Sequence, residues 1–107
     1  EWLDMRDTVT RDVVRRNCEG LFLLLGAEPR CEWLPAEVTL DDRGFVLTGR
    51  EVPQQAWLDG MPPPSLATSV PGVFAVGDVR SGNLKRVASA VGEGSIAVSL
   101  VHRVLQE

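Results

Sequence analysis

A glycine and an aspartate, Gly77 and Asp78, end the short apolar run Val73–Val76. The run contains β-branched and aromatic residues, and Pro71-Gly72 precedes it, which predicts a buried strand with a turn at each end. In α/β sheets, ligands bind beyond the carboxyl ends of the strands, and a glycine there lets the backbone approach a ligand closely. Asp78 is therefore a candidate site residue, because its carboxylate can accept hydrogen bonds from a bound molecule.

A long helical run follows this strand, with apolar residues at helical spacing from about Leu84 to Leu105. Asn83 or Ser81 is expected to cap its N-terminus. Gly92 and Gly94 interrupt the run, and each glycine costs about 1 kcal/mol in helix propensity relative to alanine. Another element is therefore expected to pack closely against the helix backbone at these two positions.

Two β elements are predicted before this region. Residues 1–16 alternate between polar and apolar side chains on either side of a polar stretch, which predicts a β-hairpin. Leu21–Leu25 is uniformly apolar and is stopped by Gly26 and then Pro29, which favours a strand buried on both faces.

The middle of the chain is predicted to be mostly irregular. Residues 30–40 indicate a short helical turn or loop, and Asp41–Gly44 is a turn signature that precedes a predicted strand at Phe45–Thr48. Glu51–Ser65 is rich in proline, which excludes a helix or a central strand across most of it. This Trp57-bearing stretch is predicted to be a surface loop, with a lid or a subunit contact as the alternative.

Composition sets the class of protein. The chain has 107 residues, 44% of them hydrophobic, and a net charge of −4, which is typical of one small soluble domain. The acidic balance argues against nucleic acid as a partner, and the longest apolar run is too short to span a bilayer, so a cytoplasmic location is expected. The chain begins at Glu1 and lacks a Gly-x-Gly-x-x-Gly loop, so we interpret it as a C-terminal piece of a longer polypeptide.

The metal-binding and thiol residues give no pattern that predicts a site. Cys18 and Cys31 have neither the spacing of a redox Cys-x-x-Cys pair nor that of a zinc site, and they are expected to be ordinary reduced thiols. His102 has no second histidine or cysteine near it, so it is expected to be structural or exposed. No metal site and no catalytic residue are predicted.

Three blocks of sequence resemble one family. Thr68–Asp78 and Lys85–Gly94 are similar to the second flavin-binding motif of the thioredoxin-reductase-like pyridine nucleotide:disulfide oxidoreductases. Gly20–Pro29 resembles the strand by which that family's chain leaves its nicotinamide domain and re-enters its flavin domain. The resemblance implies an α/β fold, the C-terminal part of a Rossmann-like FAD-binding domain with short strands and one long C-terminal helix. It also implies that residues 1–26 are the end of the NAD(P)-binding domain, with its hairpin and the crossover strand, and that residues 27–107 belong to the FAD-binding domain.

The resemblance also assigns cofactor-binding residues. Gly77 and Asp78 would lie against the flavin, with the Asp78 carboxylate accepting hydrogen bonds from the ribityl hydroxyls. The family has a flavin-contacting triplet that resembles Arg-Gln-Ala, and the corresponding residues here are Lys85, Arg86 and Val87. We expect these three residues in the first turn of the helix. The unpaired N–H groups of that turn would face the anionic edge of the reduced ring.

The function that the resemblance implies is a redox function. The longer polypeptide would pass hydride from NAD(P)H to FAD, and electrons from FAD to a disulfide or another acceptor, for example a thioredoxin-like protein. It would bind these small-molecule cofactors as a homo-oligomer, and this chain alone is expected to be inactive. The alternative is a non-enzymatic α/β module that binds a protein partner through its acidic surface and its proline-rich loop.

Overall fold

A two-stranded antiparallel hairpin begins the chain in the computed structural model, which describes residues 1–106. Strand β1 (Trp2–Arg6) pairs with strand β2 (Val13–Asn17), with Asp4 opposite Arg15. Arg15 binds the Asp4 carboxylate at 2.8 Å, and its guanidinium lies 3.6 Å from the centre of the Trp2 ring. The predicted hairpin is confirmed.

The hairpin turn is organised by an aspartate. The turn has no glycine, asparagine or proline, but Asp7 Oδ1 accepts the backbone N–H groups of Val9 at 2.7 Å and Thr10 at 2.9 Å. These bonds, the one from Thr10 first, lower the pKa of Asp7. Arg11 closes the turn in the left-handed region, with φ of 67°. An aspartate side chain thus replaces the usual turn residues.

The predicted strand at Leu21–Leu25 is wrong. These five side chains are between 59% and 93% exposed, and the segment is neither strand nor helix. A strand requires a hydrogen-bonded neighbour, and none of residues 1–106 forms a bridge with this segment. The apolar run is therefore an irregular, exposed connection between the hairpin and the rest of the chain.

A small core lies in the middle of the chain and is built mostly from loops. Val46 is 2% exposed, and it links two segments through its backbone. Its amide donates to the carbonyl of Val79 at 2.9 Å, and its carbonyl accepts the amide of Ser81 at 2.8 Å. The buried cluster consists of Cys31, Val38, Val46 and Ala75, with Leu34, Val70 and Val79 packed against it.

The turn predicted at Asp41–Gly44 is confirmed, but the strand after it is not. The Asp41 amide donates to the carbonyl of Phe45 at 2.8 Å, and Gly44 adopts a φ of 87°. Phe45–Thr48 then forms only isolated bridges at Val46. A single residue with a partner on each side does not make a strand.

The strand predicted at Val73–Val76 is likewise reduced to one bridge. Phe74 pairs antiparallel with Ala67, and Ala75 donates to the carbonyl of Leu66 at 2.9 Å. Val73 is 40% exposed, although Ala75 is buried. Among the described residues this extended segment has a hydrogen-bonded neighbour along one edge only, so it does not become a buried strand.

A short 3₁₀ turn, Gly49–Glu51, leads into the proline-rich loop, which contains a second one, Gln54–Ala56, and no α-helix or strand. This agrees with the prediction from its prolines. The indole N–H of Trp57 donates to the carbonyl of Val52 at 2.7 Å, and the Val52 side chain is 1% exposed. The loop is therefore closed on itself and anchored to the core.

Helix α1 runs from Val87 to Gln106 and so begins later than predicted. Lys85 has a φ of 52°, which an α-helix does not allow, so both Lys85 and Arg86 precede the helix. Asn83 Oδ1 accepts the Lys85 amide at 2.6 Å, before the helix starts. The Ser81 hydroxyl donates instead to Asp41 Oδ2 at 2.8 Å, so neither predicted residue caps a backbone N–H of the first helical turn.

The two glycines inside α1 are not explained by a close neighbour. A side chain added at Gly92 or Gly94 would meet no atom of the described residues within 4 Å, so the expected close packing there is not found. The close approach occurs at Gly77, where an added Cβ would lie 3.4 Å from the Ala90 Cβ. Among residues 1–106, no helix combines the length and the apolar character needed to cross a bilayer.

Candidate functional site

The candidate site begins at a 3₁₀ turn, Gly77–Val79, that follows the extended segment. Gly77 is buried with a φ of 73°, and Asp78 is exposed. A residue with a side chain would be strained at this positive φ, so the turn favours glycine here. The turn presents the exposed Asp78 carboxylate directly after the apolar segment.

Glu93 on helix α1 holds this turn. Its Oε2 accepts the backbone N–H of Gly77 at 2.7 Å. Its Oε1 accepts Arg80 Nη2 at 2.6 Å and Asn83 Nδ2 at 2.8 Å. The side chains of Glu93 and Arg80 are only 15% and 20% exposed, so this ion pair is largely shielded from water. One carboxylate therefore attaches both ends of the loop 77–83 to the helix.

The same contacts lower the pKa of Glu93 to about 2, with the hydrogen bond from Arg80 as the largest cause and those from Gly77 and Asn83 adding to it. Sequence reasoning missed this residue. The available signal was an acidic side chain between Gly92 and Gly94, but its partners lie ten or more positions away in the chain. Nothing local in the sequence indicates that they converge.

We expect Glu93 to make stability depend on pH. Its pKa falls on folding from 4.5 to about 2, so its contribution is complete above pH 4.5 and is lost as the pH falls towards 2. The difference in unfolding free energy between the native protein and Glu93→Gln should therefore shrink by about 3 kcal/mol across that range. Denaturant titrations at several pH values measure it. A difference that stays constant from pH 5 to pH 2 would contradict this assignment.

Lys85 supports the turn from the other side. Its Nζ donates to the backbone carbonyl of Asp78 at 2.9 Å and lies 4.0 Å from the centre of the Phe45 ring. The structure thus brings Lys85 and the backbone of Asp78 together. The Lys85 side chain is occupied by these contacts, while the Asp78 carboxylate is left free of Lys85.

Arg86 and Val87 lie at the start of helix α1. Both are exposed, and Val87 is 83% exposed. The first helical hydrogen bond joins the Ala90 amide to the Arg86 carbonyl at 3.0 Å. The N–H groups of the residues before Ala90 therefore point out of the helix end without an intrahelical partner.

The histidine and the two cysteines are the other residues that commonly bind metals or act as nucleophiles. His102 is exposed on α1, and residues 1–106 contain no cluster of side chains that could hold a metal ion. Cys18 is half-buried and Cys31 is buried, and both are free thiols. Burial raises the pKa of the Cys31 thiol, and the nearby Glu32 adds to the effect. A thiol held protonated in this way is a poor nucleophile.

Comparison with known proteins gives one consistent result. The chain is 29% identical over 103 residues to a thioredoxin reductase of Chlamydia pneumoniae, covering 96% of this chain and 29% of that protein. It is 35% identical over 105 residues to thioredoxin reductase 1, mitochondrial, of Arabidopsis thaliana, covering 98% of this chain and 24% of that protein.

A solved structure agrees with these relatives. The crystal structure of thioredoxin reductase from Streptococcus pyogenes superposes with a TM-score of 0.62 at 28% identity, over 98% of this chain and 30% of that one. No protein-family model matches the chain. The chain spans about a quarter to three tenths of the length of the proteins it matches. In sequence and in fold, the chain is therefore related over nearly its whole length to a segment of the thioredoxin reductases.

Proposed function

We propose that this chain is the FAD-binding C-terminal segment of an NAD(P)H-dependent flavoprotein oxidoreductase. In the full-length polypeptide, hydride passes from NAD(P)H to FAD and electrons pass on to a disulfide or another acceptor. The names of the relatives support this proposal, and so does the turn at Asp78. Because the core residues all lie at Cys31 or later, we also propose that residues 1–26 end the NAD(P)-binding domain and residues 27–107 belong to the FAD-binding domain.

The residues at the turn fit a flavin cofactor. Asp78 presents an exposed carboxylate, and the donor that reaches this residue, Lys85 Nζ, binds its backbone carbonyl instead. Both carboxylate oxygens are thus available to ribityl hydroxyls, which are hydrogen-bond donors of the right kind. This free carboxylate on a rigid turn is the observation that carries the proposal.

The start of helix α1 would complete the contact. Its open N–H groups, next to Arg86 and Val87, favour negative charge through the helix dipole. When bound, FAD supplies the two-electron chemistry that the side chains of this segment lack. The segment itself binds and orients, so we assign no catalytic residue within it.

The acceptor, the assembly and the location belong to the same proposal. A thioredoxin-like protein is the acceptor that the names of the relatives favour. The exposed apolar residues of helix α1, such as Val91 and Val98 at 68% and 58% exposure, are consistent with an assembly of several copies. We propose a cytoplasmic homo-oligomer.

Purification of the full-length polypeptide that contains this chain tests the function. We expect a yellow protein that releases FAD on denaturation and that oxidises NAD(P)H when a disulfide acceptor is added. A colourless polypeptide that neither takes up FAD nor oxidises NAD(P)H would contradict the proposal. That outcome would leave the alternative of a non-enzymatic module that binds a protein partner.

Replacing Asp78 by alanine should weaken FAD binding in that polypeptide. The loss of charged hydrogen bonds to ribityl hydroxyls costs about 1.5–3 kcal/mol each, which corresponds to a dissociation constant about 10- to 100-fold higher. Asp42→Ala, at an exposed aspartate in the Asp41–Gly44 turn, is the matched control and should bind FAD normally. Fluorescence titration of the apoprotein with FAD measures both. Equal affinity for the Asp78 variant and the control would remove Asp78 from the site.

A further inference from the structure

We infer that Glu93 is the positioning residue of the flavin site, which fixes the turn Gly77–Val79 so that Asp78 meets the cofactor. This inference rests on the proposed function, because it concerns the same site. It follows from the contacts that Glu93 makes, since the two oxygens of its carboxylate have different partners. We call this group of contacts the Glu93 network: Gly77, Arg80, Asn83 and Lys85 around Glu93.

The first part of the network acts on the turn directly. Glu93 Oε2 accepts the N–H of Gly77 at 2.7 Å, immediately before Asp78. Gly77 is buried against Ala90 of the same helix, with an added Cβ 3.4 Å from the Ala90 Cβ. Gly77, the residue before Asp78, is thus held against α1 by a hydrogen bond and by close packing.

The second part acts through the loop. Glu93 Oε1 binds Asn83 Nδ2 at 2.8 Å, and Asn83 Oδ1 in turn accepts the Lys85 amide at 2.6 Å. Lys85 Nζ then donates to the Asp78 carbonyl at 2.9 Å. The backbone of Asp78 is therefore fixed from both sides by hydrogen bonds that lead to one carboxylate, and the Asp78 side chain takes no part in them.

A merely structural ion pair would behave differently. If Glu93 served only to neutralise Arg80, replacing both residues by apolar ones would remove the charges together and leave no unpaired charge. That exchange would still leave the Gly77 N–H without its acceptor. Stability and cofactor affinity should therefore respond differently to the double replacement.

The test uses the full-length polypeptide with three variants: Glu93→Leu, Arg80→Met and the double variant. Two quantities are measured for each, the Tm of the apoprotein and the dissociation constant for FAD. We expect Glu93→Leu to lower the Tm and to weaken FAD binding at least tenfold. In the double variant we expect part of the Tm to return, because no unpaired charge is left although the Gly77 N–H still lacks its acceptor, while FAD binding stays at least tenfold weaker than in the native protein.

The single variant Arg80→Met separates the stabilising role of the ion pair from the positioning role of Glu93, even if the Glu93 variants fold poorly. It removes the ion pair but keeps the bonds from Glu93 to Gly77 and Asn83. We expect a lower Tm and a dissociation constant for FAD within about threefold of the native value. FAD binding that returns with the Tm in the double variant would overturn the inference, as would an Arg80→Met variant that loses FAD as strongly as Glu93→Leu. A native polypeptide without flavin would instead refute the proposed function before any variant is compared.

Discussion

Replacing Gly77 by valine is expected to lower the free energy of unfolding by about 3–5 kcal/mol, the sum of backbone strain and overpacking. Gly77 has a φ of 73°, a conformation that a β-branched residue avoids. An added Cβ would already lie 3.4 Å from the Ala90 Cβ, so the two methyl groups of valine would press on helix α1. The same displacement would move Asp78, so FAD affinity should fall as well.

Gly72 provides a matched control for this variant. Its φ of 79° is almost the same, but an added Cβ there would meet no atom within 4 Å. Gly72→Val should therefore show the backbone strain alone, and the difference between the two variants gives the cost of displacing the helix. Denaturant unfolding of both variants measures this difference. If Gly72→Val and Gly77→Val were equally unstable, the packing of Gly77 against α1 would contribute nothing.

Elements that depend on local sequence were predictable. The hairpin of residues 1–16 and the turn at Asp41–Gly44 were found because the alternation along each strand and the turn residues are both visible within a short continuous stretch of sequence. The long helix was also found. Its first turn was misplaced because the left-handed conformation of Lys85 is imposed by Asn83 and by the Asp78 carbonyl, which no local pattern reveals.

Strands were not predictable in the same way. Leu21–Leu25 and Val73–Val76 have the composition of buried strands, yet composition does not supply the neighbour that a strand needs. In this chain the first segment has no paired neighbour among residues 1–106, and the second has one bridge. The apolar pattern correctly marks surfaces that favour burial, but it does not say what buries them.

The same difference between local and distant interactions decided which residues of the candidate site could be predicted. Gly77 and Asp78 were identified because a glycine and a carboxylate at the end of an apolar segment form a local pattern. Glu93 was missed because its role depends on contacts with Gly77 and Arg80, which precede it by 16 and 13 positions. The proposed cofactor-binding residues were thus easier to find than the residue that we propose positions them.

The 107-residue chain by itself is expected to bind FAD with a dissociation constant weaker than about 1 µM and to associate with itself. In the proposed site, the turn at Asp78 and the start of helix α1 would contact only the ribityl chain and the ring edge of FAD. The adenine and pyrophosphate of FAD require a glycine-rich loop at a helix N-terminus, and this chain contains no Gly-x-Gly-x-x-Gly sequence. The isolated chain therefore lacks the contacts that would supply much of the free energy of FAD binding.

Self-association is expected from the apolar surface that the structure leaves uncovered. In the segment after the hairpin, Phe22 is 90% exposed and Leu24 is 93% exposed. Val91 of helix α1 is 68% exposed. Large exposed apolar side chains favour association, here most simply with a second copy when nothing else is supplied. Titration of the purified chain with FAD, monitored by flavin fluorescence, measures the affinity, and light scattering measures the mass. A monomer that binds FAD at micromolar concentration or tighter would contradict both expectations.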